Sequence, residues 1–299
     1  MFSADRLAPL SLLLSASIWG VVWYPYRVLE AAGVSGSFAT LLTYVVALGV
    51  IVLIYGPRVF HAETDRAWLV GTALAAGWTN VAYVLAVLDG EIMRVMLLFY
   101  LAPLWTLWLA RLILGERANA SGYLVMALSL GGAWVMLRGD AGLPLPGNGA
   151  EWFALSAGFA FALTNVLSRR LRHVAGGTRS AWIFCGAIAI AAVPAWLDPA
   201  GAPGLAALGG AQWGWVGLTG LALVAATFSV QHGVAHTPAN RAIVILLAEL
   251  VVAAVASWWL VGEAMSGREW LGGAMIVAAS LFSGRMDRRR EKSTEELHA

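Results

Sequence analysis

Residues 92–116 read IMRVMLLFYLAPLWTLWLARLILGE, and residues 239–263 read ANRAIVILLAELVVAAVASWWLVGE. At an offset of 147 the second segment lies on the first without a gap, setting Arg94 against Arg241 and Gly115-Glu116 against Gly262-Glu263. Further on, Gly131 falls on Ala278. Around the first helix of each copy the offset becomes 142, pairing Trp19 with Phe161, Gly20 with Ala162 and Arg27 with Arg169. The chain therefore reads as one unit written twice, and the fold follows from what that unit is made of.

It is made of membrane helices. Of the 299 residues, 60% are hydrophobic and only 12% charged, whereas a water-soluble chain carries about 25% charge. A spanning helix needs about 20 mainly apolar residues. Stretches of that kind run over 8–29, 37–56, 67–88, 92–114, 120–138, 151–171, 180–198, 212–235, 239–261 and 268–284. The expected fold class is thus an all-α integral membrane protein with ten transmembrane helices. The first apolar run continues past Ser15-Ala16-Ser17 behind an n-region holding Asp5 and Arg6, which reads as an uncleaved helix.

Short cytoplasmic loops hold the excess of basic residues. With the N-terminus inside, only Arg27, Arg94, Arg138 and Arg268 of the 19 basic residues fall outside. Both termini are therefore expected in the cytoplasm. The charged tail 285–299 is expected to be disordered, with Arg288–Arg290 available to anionic lipid. Lys292 in that tail is the sole lysine, which excludes a lysine-bearing phosphate loop and a buried Schiff base. One cysteine, Cys185, allows neither an internal disulfide nor a thiolate-rich metal site.

Because five is odd, a second five-helix unit enters the membrane from the opposite side. Inverted repeats mark alternating-access transporters, whose substrate site lies near the midplane between halves. The organisation expected is a first repeat over 1–145, an inverted second repeat over 146–284, and the tail. Leu101-Ala102-Pro103 followed by Gly115-Glu116, repeated as Ala248-Glu249-Leu250 with Gly262-Glu263, together with Ser17-Ile18-Trp19-Gly20, resembles the EamA-type drug/metabolite transporter superfamily. The resemblance covers residues 8–284; Leu250, where the family often has proline, and Phe161, opposite Trp19, depart from it. The chain is most similar to bacterial exporters of aromatic and other neutral amino acids. The resemblance implies a central cavity lined by helices 1, 3, 4, 6, 8 and 9. The partners expected are a small-molecule substrate and membrane lipid, with no nucleic acid and no cofactor; the sequence leaves the oligomeric state open, a monomer among the possibilities.

Mid-span residues on those helices are the candidate substrate-binding set: Trp19, Trp78, Asn80, Tyr83, Tyr100, Phe161, Asn165, Phe228, Gln231 and His232. Thr79 and Pro103 lie at similar depth. Aromatic walls with a few amides suit a neutral zwitterion bearing an apolar side chain, and a ring face can hold its ammonium group. The alternative for each aromatic is packing between helices or at the interface; for each amide it is an interhelical hydrogen bond. Glu249 is an ionisable residue at midplane, costly unless protonated, paired or facing water. It is read either as a proton-coupling carboxylate or as a paired structural one.

His232 and His236 share a helical face, but no Glu intervenes and no Cys is near, so no metal is expected. Arg94 and Arg241, which begin helices 4 and 9, read either as a pair of gates or anion contacts or, in preference, as snorkelling to the headgroups beside Asp89 and Glu91, and the two Gly-Glu pairs as architectural helix ends. Alternatives to amino acid export are a carrier of other metabolites or drugs, a carrier of phosphorylated solutes, a channel, or an intramembrane enzyme. A phosphorylated solute would want cations at midplane, where there are none. An enzyme would want a motif such as G-x-S-x-G, which is missing, and nucleic-acid binding would want a basic surface.

Overall fold

The computed structural model describes residues 4–61, 65–115, 120–137, 146–171, 173–198, 200–203, 205–236, 245–246 and 248–278. Glu116, Arg138, Arg241 and the tail 285–299 lie outside the described residues. Helices α1 (Ala4–Val21), α2 (Trp23–Ala31), α3 (Gly36–Tyr55), α4 (Arg66–Asp89), α5 (Ile92–Phe99), α6 (Ala102–Leu114) and α7 (Ala120–Leu137) come first. They are followed by α8 (Gly149–Arg170), α9 (Gly176–Leu197), α10 (Gly210–His236) and α11 (Ala248–Val261), then a helical stretch, α12, over 267–278. Short 3₁₀ turns occur at Pro57–Phe60 and Leu205–Ala207. Among the described residues no strand occurs, and seven helical spans are long and apolar enough to cross a membrane.

Two spans that the hydropathy draws as continuous are broken. The first divides at Val22 into α1 and α2, and the fourth divides at Tyr100-Leu101 into α5 and α6. Proline explains both breaks. Pro25 has no N–H to return to the Val21 carbonyl, and Pro103 none for that of Phe99, so each removes an i→i−4 bond. In water such a break would be solvated; in a membrane the freed groups need protein partners.

Helices from the two parts of the chain pack mainly across onto each other. α1 lies against α10 and α11, α3 against α9 and α10, α4 against α8 and α9, and α8 also against α5 and α6. Lipid is as apolar as leucine, so such packing relies on close approach at small residues. At Gly186 a Cβ would overlap the Ala73 backbone, and at Gly77 the Gly186 backbone, which brings α4 and α9 nearly into backbone contact. A Cβ on Gly20 would fall 2.8 Å from the Glu249 carbonyl, seating α1 on α11; one on Gly158 would fall 2.6 Å from that of Phe99, seating α8 on the α5/α6 break. Gly132 meets the Gly272 carbonyl in the same way, at 2.7 Å, and joins α7 to α12. Gly115 and Gly262 stop their helices at φ +70° and +73°, the left-handed turn that glycine adopts without Cβ strain.

Candidate functional site

The break between α5 and α6 organises an aromatic cluster. Phe99, the last residue of α5, has the Phe161 ring of α8 at 5.1 Å between centroids, Tyr83 of α4 at 5.7 Å and Tyr100 at 6.1 Å, the two tyrosines edge-on. Edge-to-face contacts of this kind are favoured by the ring quadrupole. The Tyr83 hydroxyl points to the Met96 sulfur at 3.2 Å. The Tyr100 hydroxyl hydrogen-bonds the Glu249 carboxyl of α11. Three candidate aromatics and Glu249 thus converge, and Phe99, which the sequence reading passed over, holds them together.

The other candidates fall elsewhere. Trp78 is 40% exposed, tilts against Phe153 and donates its indole N–H to Ser156 Oγ at 3.2 Å, both on α8. Asn80 accepts a short hydrogen bond from the Tyr44 hydroxyl of α3 and donates to the Ala76 carbonyl at 2.8 Å. Its amide is engaged between helices, which is the second of the two roles open to it. Gln231 donates to Ser180 Oγ at 3.0 Å, tying α10 to α9. Phe228 tilts against Tyr55, Trp19 packs on the main apolar core, and Asn165 and His232 are exposed.

At one end of the bundle the charged groups are interlinked. Arg27 on α2 lies over the Trp23 ring, donates to the Val87 and Gly90 carbonyls at 2.8 and 2.7 Å, and meets Glu263 Oε1 at 3.1 Å. The other oxygen of Glu263 accepts from the Ile92 N–H at 2.7 Å, at the positive start of α5. Arg94 does not snorkel beside Asp89 and Glu91. Its Nε lies 2.6 Å from Glu151 of α8, and an Nη lies 4.0 Å from Glu269 of α12. Both carboxylates sit in capping boxes. Asn148 caps α8 while Glu151 reaches back to the Gly147 N–H, and Glu269 accepts from the Ser266 N–H and hydroxyl. Desolvated arginine pairs better with such fixed carboxylates than with mobile ones, which explains the departure from the headgroup position.

An all-helical bundle of apolar spans, one of them broken at an aromatic cluster, is the architecture of a multi-pass membrane protein. The model of the EamA-like transporter family matches residues 6–138 and again residues 148–285, and the chain belongs to that family. It is 27% identical to an uncharacterized transporter of Archaeoglobus fulgidus over 74% of this chain and 77% of that protein. It is also 27% identical to a riboflavin transporter of Rhizobium johnstonii, over 76% and 68% respectively. An uncharacterized transporter of Bacillus subtilis is 25% identical over 82% and 73%. A crystal structure of a protein 20% identical in sequence matches 95% of this chain and 98% of its own with a TM-score of 0.59, a likeness of fold.

Proposed function

We propose that this membrane transporter exports aromatic and other neutral amino acids across the bacterial inner membrane by alternating access. It does so as ten helices in two inverted halves, 1–145 and 146–284, with both termini in the cytoplasm. The observation that carries the reading is the Phe99 cluster: Tyr83, Tyr100 and Phe161 set rings around it, and Tyr100 bonds Glu249. Rings of this kind take up an apolar or aromatic side chain by stacking and tolerate many such side chains, so a broad range follows. Trp78, Asn165, Phe228, Gln231 and His232 extend the path above and below. Glu249 is the proton-coupling carboxylate, since a buried acid bonded to the Tyr100 phenol can exchange its proton as the path opens. Support for two halves comes from the family's model matching the chain twice.

Radiolabelled tryptophan counterflow in proteoliposomes tests this. Loading with unlabelled tryptophan, phenylalanine or threonine accelerates uptake and loading with glutamate does not. Glu249→Gln keeps the exchange and loses the response to an imposed pH gradient. Well-folded protein without exchange rejects the amino acid reading.

A second reading rests on the relative named a riboflavin transporter. A flat polycyclic solute would stack on the same rings. Riboflavin in place of tryptophan in the loaded liposomes separates the two.

A further inference from the structure

The ion pairs at the Arg27 end share a property that their positions along the chain make plain. Arg27, the Val87 and Gly90 carbonyls, the Ile92 N–H and Arg94 all lie in residues 1–145, whereas Glu263, Glu151 and Glu269 all lie in residues 146–284. Each of these ion pairs therefore crosses between the two halves, with its arginine on one side and its carboxylate on the other. Two of the three carboxylates are set in advance by bonds within their own half, Glu151 by Asn148 and Gly147, Glu269 by Ser266. The Arg27 guanidinium is set in the same way, by two carbonyls of its own half. Such parts can separate and meet again without rebuilding, since each keeps its scaffold when the other leaves.

We propose that Arg27–Glu263 and Arg94–Glu151/Glu269 form a two-part gate that closes this end of the solute path and must break each time the path opens there. Alternating access requires the halves to part at one end while they stay joined at the other. The two arginines tie α2 and α5 of the first half to the loop before α12 and to the starts of α8 and α12 in the second, so parting at this end pulls directly on these bonds. Glu263 has a double hold, on Arg27 and on the start of α5, whose far end carries Phe99. Opening the gate thus frees the helix that organises the aromatic cluster. The inference rests on the alternating-access part of the proposed function and is independent of which solute is carried.

The test reads access rather than transport. In a Cys185→Ser background, Phe161→Cys places a thiol at the aromatic cluster, and a membrane-impermeant maleimide is supplied from the Arg27 end in oriented vesicles. Adding Glu263→Gln raises the labelling rate from that end roughly fivefold, the factor given by about 1 kcal/mol of conformational bias, and lowers it from the other end. Arg27→Gln acts in the same direction, and the double variant labels no faster than the faster single, because the two remove one bond. Labelling unchanged in monodisperse Glu263→Gln protein, or raised equally from both ends, overturns the gate. If that variant does not fold, Arg94→Gln reads the second part of the gate by the same criteria. Since no solute is used, failure here leaves the amino acid reading standing, and failure of counterflow leaves the gate standing.

Discussion

The Tyr100 hydroxyl of the α5/α6 break hydrogen-bonds the Glu249 carboxyl of α11, joining residues that lie in the first and second halves of the chain. The bond ties the Glu249 carboxyl to the break between α5 and α6, so a change in the state of the carboxyl is felt at the break. Removing the hydroxyl alone with Tyr100→Phe keeps the ring against Phe99. A hydrogen bond to an ionisable group contributes about 1.5–3 kcal/mol, and the proton-driven rate is expected to fall about tenfold or more. Tyr100→Phe combined with Glu249→Gln should be no slower than the slower single variant. Independent, multiplying losses in pH-gradient-driven uptake would mean that the two residues act separately.

Phe99 makes ring contacts with Tyr83, Tyr100 and Phe161. Phe99→Leu keeps most of the apolar volume and removes the ring, and aromatic pairing adds about 0.5–1.5 kcal/mol beyond area burial. The half-saturation concentration for tryptophan counterflow is expected to rise about three- to tenfold, with threonine little changed. An equal rise for both solutes would show that Phe99 supports the bundle without taking part in selection.

Asn80 and Tyr44 bond across α4 and α3. Asn80→Ala strands the buried Tyr44 hydroxyl, which costs about 1–3 kcal/mol, whereas removing both partners is nearly neutral. Thermal unfolding in detergent should therefore show a loss for Asn80→Ala that Tyr44→Phe largely restores. The half-saturation for solute stays the same in both. A changed half-saturation in Asn80→Ala, with unchanged stability, would put the amide in the solute path.

How far the sequence carries is set by the range of each interaction. Pro25 and Pro103 act on their own turns, so both helix breaks could be read from residue type and spacing; Gly115 and Gly262 likewise announce left-handed helix ends, found at φ +70° and +73°. The apolar runs could be located because hydrophobic length is local as well, though hydropathy alone drew the broken spans as unbroken. Arg94 shows the limit. Its neighbours in sequence, Asp89 and Glu91, suggested headgroup contact, but its partners are Glu151 and Glu269, which only tertiary packing brings near. Phe99 was missed for a related reason. One phenylalanine among many in an apolar helix carries no mark of whether it faces lipid or three other rings, and the direction is decided by Gly158 admitting α8 against its carbonyl.

The same close approaches make a prediction about stability. At Gly186 on α9 a Cβ would overlap the Ala73 backbone of α4, whereas at Gly49 on α3 a Cβ would meet nothing within 4 Å. Gly186→Ala must push two packed helices apart, and overpacking of this kind costs about 1–3 kcal/mol. Gly49→Ala meets no such obstacle and gains from the lower backbone entropy of alanine in a helix, by roughly 0.5–1 kcal/mol. Thermal unfolding of the two variants in one detergent should move in opposite directions, Gly186→Ala down and Gly49→Ala level or up. Were Gly186→Ala as stable as the parent, α4 and α9 could not be in near-backbone contact, and the crossing on which Trp78, Asn80 and Tyr83 are mounted would have to be drawn wider.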